Sequence, residues 1–291
     1  MCELLGISSR EPTTVQISLN EFAQRGGRTG PHIDGWGIAF FGDGDVQLIR
    51  EPKPSADSAH LRFIHDQHIP SALVISHIRR ATQGNVSLRN TQPFTRELGG
   101  RPHIFAHNGD LIDIHRHIDL GKSSYRAIGD TDSEHAFCFL LSQLQPLWQN
   151  QQERQGQQPP SLAQRFAVFA RFAAGMSELG AANFLYSDSD YLFVHSHYRR
   201  HNDNSRCPNG LFMLSRRCHE HEILTGLDVE SEQEMVLLAS APLSDECWEA
   251  LPESTTLAIQ SGRVVMRSCR AETLAATESL QPIELLSSAA L

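Results

Sequence analysis

The order of apolar stretches along the chain constrains the fold most. Short, strongly apolar runs typical of strands come first, two longer helical patterns lie in the middle, and further strands follow. The turn-forming residues 42–45 and 261–262 join neighbouring strands as antiparallel hairpins. Because strands and helices do not alternate regularly, we expect an α+β fold of stacked, mainly antiparallel sheets flanked by helices, and not a doubly wound fold.

Three irregular segments interrupt this pattern. At 291 residues the chain can bury a full core, and we expect one domain over residues 1–291. Residues 148–160 are rich in Gln and end in two prolines, which predicts a surface insert. Residues 271–291 are expected to be helical or frayed. Residues 79–101 are polar and glycine-containing and predict a long loop, a type of segment that is often functional.

Charge and cysteine usage exclude several classes of protein. The net charge of −9 argues against nucleic acid or an anionic membrane as the main partner. No apolar run is long enough for a transmembrane helix, and no signal peptide is evident. The six cysteines are scattered through the chain, which indicates free thiols in a reducing compartment. We therefore expect a cytoplasmic protein.

Cys2 follows the initiator methionine and opens an apolar run. Removal of Met1 would leave a thiol and an α-amine on one residue, with ordinary pKa values of about 8.5 and about 7.7–8.0. A neutral amine beside a thiol can act as its general base. The alternative is a small buried residue at the start of a strand, the commoner role of a lone cysteine.

The first polar cluster follows a short apolar strand and contains Arg79, Arg80 and Thr82. The planar fork of an arginine can bind both oxygens of a carboxylate. Taken alone, the cluster is better explained by a surface arginine in an ordinary loop.

The second cluster ends the next predicted strand with Asn108-Gly109. A side-chain amide and a neighbouring backbone N–H can together stabilise an oxyanion. Asn-Gly is also the strongest turn-forming dipeptide, so a simple β-turn stays open.

The third cluster, residues 130–134, precedes an apolar helix. Asp132 could bind an ammonium group there, whereas Thr131 suits the helix cap. Both roles can hold at once.

Four motifs occur along the first half of the chain in a fixed order: Cys2, then Arg79 in His-x-Arg-x-Ala-Thr, then His-Asn-Gly at 107–109, then Asp-Thr-Asp-Ser-Glu at 130–134. In this order the chain resembles the class II glutamine amidotransferases. The likeness extends over nearly the whole chain and is greatest to the stand-alone, YafJ-like branch. It implies an N-terminal-nucleophile hydrolase with a four-layer αββα fold.

The resemblance also implies a role for each residue. Cys2 would be the nucleophile and Asn108 and Gly109 the oxyanion hole. The substrate-binding residues would be Arg79 for the α-carboxylate, Asp132 for the α-ammonium, and Thr82 and the main chain near Arg80 for the pocket wall. The chain departs from many relatives at Arg80, where they have Trp, and at Gln92, where they have His.

The implied activity is cleavage of the γ-amide of glutamine or of a γ-glutamyl compound through a Cys2 thioester. Two alternatives stay open: a non-catalytic glutamine sensor, and an ammonia-supplying subunit of a separate synthase. A homodimer is a further option. Residues 195–197 and 218–221 are rich in histidine but lack the spacing of a usual zinc site, so we expect neither metal nor cofactor.

Overall fold

Strands and helices follow the predicted order along the chain. The computed structural model describes residues 2–14, 16–121, 123–155, 158–200, 205–218 and 233–268, so Met1 and the tail 271–291 lie outside the described residues. The strands are β1 (Glu3–Thr13), β2 (Trp36–Gly42), β3 (Asp45–Glu51), β4 (Ser71–Ile78), β5 (Phe94–Leu98), β6 (Arg101–Leu111), β7 (Gly180–Ser187), β8 (Leu192–Ser196), β9 (Arg199–Arg200), β10 (Arg206–Cys207), β11 (Phe212–Cys218), β12 (Gln233–Ala239), β13 (Glu249–Ala250), β14 (Thr255–Gln260) and β15 (Arg263–Ser268). The helices are α1 (Gln16–Gln24), α2 (Ala59–Gln67), α3 (Ile114–His117), α4 (Asp132–Gln155) and α5 (Leu162–Leu179).

The strands form two large antiparallel sheets. The first has the order β13-β11-β12-β1-β4-β2-β3, and the second has the order β15-β14-β8-β7-β6-β5. The short strands β9 and β10 pair with each other. The first strand of the chain is thus central in the first sheet, with β4 and β12 on either side.

Three apolar clusters divide the protein into four layers. Leu4 and Ile75 of the first sheet pack against Ala106 and Leu185 of the second, which forms the core between the sheets. The outer face of the first sheet packs against α1 and α2. The outer face of the second packs against α3, α4 and α5. The predicted α+β sandwich with αββα layers is confirmed.

Strand alternation determines which polar residues reach the space between the sheets. Side chains on one face of a strand recur at every second residue. Leu4 faces inward, so Cys2 lies on the same face at the beginning of β1. Ala106 also faces inward, which puts Asn108 on the inner face of β6. Both candidate residues therefore belong to the inter-sheet layer.

Two segments differ from the sequence-based expectation. Residues 79–101 are not one continuous loop, since they contain a 3₁₀ turn at Leu88–Asn90 and strand β5. Residues 148–155 are the last turns of α4 and not a loop. Gln and Glu are good helix formers, and the buried Trp148 packs into the core over Gly99, which keeps the helix attached there.

None of the helices among the described residues is both long and apolar enough to span a membrane.

Candidate active site

The thiol of Cys2 is held against the main chain of Arg80. Pairing of Glu3 with Ile78 brings the start of β1 beside the residues that follow β4. The Cys2 thiol donates to the carbonyl oxygen of Arg80 at 3.4 Å, and the Arg80 backbone N–H donates to Sγ at 3.3 Å. It is therefore the main chain of Arg80, whose side chain is half-buried, that contacts the thiol.

Burial raises the pKa of the Cys2 thiol above its ordinary value. The hydrogen bond from the Arg80 main chain and the positive charge of Arg79 act against this rise in pKa, whereas the Asp132 carboxylate adds to it. Both charged groups thus lie within electrostatic reach of the thiol. A thiol of raised pKa is protonated at neutral pH and needs a base to become a nucleophile.

Arg79 is buried and organises the loop that follows it. Its Nη1 donates to the carbonyl oxygen of Asn85 at 3.0 Å, and its Nη2 donates to those of Gln83 at 2.8 Å and Gly84 at 3.1 Å. Gly84 has a φ of 71°, the left-handed conformation that lets the loop turn back toward the guanidinium. An arginine has five N–H donors, so this loop does not exhaust them.

The turn between Arg79 and Thr82 is fixed by Asp34. The Asp34 carboxylate accepts from the backbone N–H of Ala81 at 2.8 Å, and its own N–H donates to the Arg79 carbonyl oxygen at 3.2 Å. Thr82 is exposed on this loop. Of the predicted pocket residues, Arg79 is therefore deeply seated and Thr82 is at the surface.

Asn108 and Gly109 lie inside β6 and do not form a turn. They pair with Asn183 and Ala182 of β7, and β6 continues to Leu111, so the expectation that the strand ends at Asn108-Gly109 was wrong. A Cβ atom at Gly109 would lie 1.7 Å from the carbonyl oxygen of Ala181. The glycine is required for the close approach of the two strands, which the dipeptide alone did not reveal.

Ser240 connects Asn108 to strand β1. Nδ2 of the buried Asn108 lies 3.0 Å from Ser240 Oγ, and the same oxygen accepts from the backbone N–H of Leu4 at 2.9 Å. Oδ1 of Asn108 has no hydrogen-bond partner among the described residues. Ser240 was not among the predicted site residues, because it lies 132 positions from Asn108 in sequence.

Asp132 is the first residue of α4 and is buried. Its carboxylate accepts from the Leu111 backbone N–H at 2.8 Å and from the Ser133 hydroxyl at 3.3 Å. Thr131 Oγ1 accepts from the Glu134 backbone N–H at 3.2 Å, the hydrogen bond of a helix cap. Thr131 therefore caps the helix as predicted, while the Asp132 carboxylate, with two protein donors, keeps further acceptor capacity.

Glu3 is a buried charge that the sequence interpretation missed. Its carboxylate accepts from Arg25 at 3.1 Å and from Arg199 at 3.0 Å, and Arg199 also donates to the main-chain oxygen of Ser240. A single charged residue within the apolar run 2–7 was the available signal. These ion pairs fix the residue next to Cys2.

Gln92, one of the two predicted departures from relatives, is bonded to the strand that carries Asn108. Its Oε1 accepts from the His107 backbone N–H at 2.6 Å, and its Nε2 donates to the His107 carbonyl oxygen at 3.3 Å. A Cβ atom at Gly37 would lie 2.4 Å from the Gln92 carbonyl oxygen, so the glycine lets this segment approach the first sheet. These contacts thus hold the strand that carries Asn108.

His77 is fully buried at the end of β4, and burial, assisted by the charge of Arg79, lowers its pKa to about 3. It is therefore neutral at physiological pH. Burial also lowers the pKa of His107, whose Nδ1 lies 2.9 Å from Ser133 Oγ. Among the described residues, no three His, Cys, Asp or Glu side chains converge as metal ligands. Residues 219–221 of the second histidine-rich stretch lie outside the described residues.

The sequence comparison decides the family. Residues 1–282 match the family described as glutamine amidotransferases class-II. The chain belongs to the class II glutamine amidotransferases. The Escherichia coli K12 protein YafJ, provisionally named as a glutamine amidotransferase, is 36% identical over 252 residues, which are 86% of this chain and 94% of YafJ.

Solved structures of similar proteins agree with this family. A protein of Pseudomonas aeruginosa PA01, described as a predicted glutamine amidotransferase, has 31% sequence identity and a TM-score of 0.62, covering 91% of this chain and 100% of its own. Glutamine phosphoribosylpyrophosphate amidotransferase of B. subtilis has 17% identity and a TM-score of 0.54, covering 92% of this chain and 49% of its own. This second likeness concerns the fold alone, and it agrees with the expected N-terminal-nucleophile sandwich of this amidotransferase family.

Proposed function

We propose that this protein hydrolyses the γ-amide of glutamine or of a γ-glutamyl compound and releases glutamate. The observation that carries the proposal is the position of the Cys2 thiol. It is hydrogen-bonded to the main chain of Arg80, and the charges of Arg79 and Asp132 both act on its pKa. A nucleophile flanked by one cationic and one anionic side chain suits a substrate with an α-carboxylate, an α-ammonium and an electrophilic side chain.

The substrate would bind through its two α-substituents. Arg79 would hold the α-carboxylate through the N–H donors that the 83–85 loop leaves available. Asp132 would accept from the α-ammonium. These two contacts would direct the γ-carbonyl carbon toward Cys2.

The reaction would proceed by acyl transfer. After removal of Met1, the α-amine of Cys2 takes the thiol proton and Sγ attacks the γ-carbonyl carbon. The oxyanion would be stabilised by Asn108 and Gly109, and it collapses as the leaving nitrogen takes the proton from the Cys2 α-ammonium and departs as a neutral amine or ammonia. Water then hydrolyses the γ-glutamyl thioester, which releases glutamate and restores the thiol.

A panel of γ-glutamyl amides and peptides, scored for released glutamate, tests the proposal. We expect turnover by the wild-type protein and none by Cys2→Ala. Cys247→Ala, which changes an exposed cysteine, should keep full activity. Glutamate release by the Cys2→Ala protein at the wild-type rate would refute the proposed mechanism.

A further inference from the structure

The hydroxyl group of Ser240 and the side-chain amide of Asn108 each have an atom without a hydrogen-bond partner among the described residues. Both side chains are completely buried. With Nδ2 facing Ser240, the serine oxygen receives two donors, from Asn108 and Leu4, and its own O–H has no acceptor among the described residues. In the same orientation, Oδ1 of Asn108 has no donor among them.

Rotation of the Asn108 amide by half a turn pairs the serine O–H with Oδ1 and turns the N–H donors of Nδ2 to the position that Oδ1 had occupied. Amide oxygen and nitrogen occupy equivalent positions, and their hydrogen-bond partners decide which atom lies where. With Oδ1 facing Ser240, the serine O–H donates to it while Leu4 N–H still donates to Oγ. Buried polar groups are nearly always hydrogen-bonded in proteins, which favours this arrangement.

Two main-chain hydrogen bonds fix the position of Ser240 and therefore of its hydroxyl group. The Ser240 N–H donates to the Leu4 carbonyl oxygen at 3.1 Å, and its own carbonyl oxygen accepts from Arg199. Because the Leu4 N–H already donates to Oγ, the serine O–H points away from Leu4. The Asn108 amide lies 3.0 Å from Oγ and is the group to which this O–H can donate. The serine is therefore suited to donate a hydrogen bond to Asn108.

We infer that Ser240 is a positioning residue that orients the Asn108 amide, so that its N–H donors face the reaction site. The inference rests on the proposed function insofar as Asn108 stabilises an oxyanion. In the opposite orientation Asn108 would present an oxygen to the reacting carbonyl oxygen, which would repel the developing negative charge. Ser240 would thus determine the polarity of the oxyanion hole without contacting the substrate.

A double-mutant cycle tests the catalytic consequence. In the wild-type background we expect Asn108→Ala to lower kcat about 10²–10³-fold, as for other oxyanion-hole amides. Ser240→Ala should lower kcat by about 10²-fold with KM changed by less than about threefold, because only the transition state is affected. With Ser240→Ala already present, Asn108→Ala should cost less than about tenfold, since the amide is no longer oriented.

Two further variants separate orientation from general stability. Ser240→Thr keeps the hydroxyl and should recover most of the lost kcat. Ser71→Ala is a matched control, because Ser71 is a buried serine at the opposite end of β4 whose Oγ also accepts from a backbone N–H, that of Phe41, at 3.1 Å. It should lower the melting temperature but not kcat. Independent, multiplicative effects of Ser240→Ala and Asn108→Ala on kcat would overturn the inference.

A neutron structure of the deuterium-exchanged wild-type protein reads the amide orientation directly and needs no activity. We expect a deuteron on Ser240 Oγ directed at Asn108 and the two amide deuterons on the atom away from Ser240. Amide deuterons directed at Ser240 would overturn the inference even in an active enzyme. Conversely, a protein that releases no glutamate but shows the expected deuterons would refute the proposed function and leave the assigned orientation intact.

Discussion

The negative charge of Asp132 can be removed with almost no change in the shape of the side chain, by substitution with asparagine. Asp132→Asn keeps an oxygen that can accept from Leu111 N–H, so the start of α4 should persist. A hydrogen bond to a charged group contributes about 1.5–3 kcal/mol, so KM for a γ-glutamyl substrate should rise roughly 10- to 150-fold. Steady-state kinetics of glutamate release provide the measurement.

Asp130→Asn is the matched control, since Asp130 lies two residues away and its exposed carboxylate pairs with Arg89. Its KM should stay within about twofold of the wild-type value, because exposed ion pairs contribute little. Equal KM values for the two variants would contradict the assignment of the α-ammonium contact to Asp132.

Much of the candidate site was predictable residue by residue, because its parts occur as short local motifs. Arg79 and Asp132 lie at element ends, where the apolar pattern stops and polar groups begin. The partners of these residues were not predictable in the same way. Ser240 and Glu3 act through contacts with residues that are distant in sequence, and no local pattern specifies such pairs.

At the scale of elements, strand β6 and the segment before β5 depend on each other. Gln92 bonds to both main-chain groups of His107, next to Asn108. Gln92→Ala should lower the free energy of unfolding by about 1–3 kcal/mol, because the buried His107 N–H loses its acceptor. Urea denaturation measures this change.

Gln47→Ala, an exposed position on β3, serves as the control and should change stability by less than about 0.5 kcal/mol. A Gln92→Ala protein as stable as this control would show that the Gln92 contacts do not hold β6. Such a result would also leave the Gln-for-His difference from relatives without a structural explanation.

The elements predicted from periodicity were found, while those that depend on pairing partners were less well predicted. The strand was expected to end at Asn108-Gly109, but pairing with β7 continues through this dipeptide to Leu111. Likewise, Trp148 was assigned to a surface insert, although its contacts with Gly99 and the aromatic core extend α4. In both cases a tertiary contact overrides the local preference.

At the scale of the whole molecule, buried histidines make stability depend on pH. Burial lowers the pKa of His77, His103 and His195 to about 3 in each case. Below the ordinary pKa of about 6.5, the unfolded chain binds protons that the folded protein does not, so stability falls as pH falls. At pH 5 the loss is about 2 kcal/mol for each such residue.

The free energy of unfolding, measured by urea denaturation, should therefore decrease from pH 8 to pH 5. In His103→Gln this decrease should be smaller by about 2 kcal/mol, whereas Gln47→Ala, which removes no titratable group, should leave it unchanged. An identical pH dependence in both variants would contradict the neutral, buried state of His103.

In the proposed function, the fold brings Cys2 at the start of β1 to a site that Arg79, Asn108 and Asp132 would complete from separate elements. The intact mass of the protein, before and after treatment with a diazoketone analogue of glutamine, tests this account most directly. We predict a mass without Met1 and the addition of one label, mapped to Cys2 and slowed by excess substrate. Retention of Met1, or labelling of another cysteine with Cys2 left unmodified, would contradict the account.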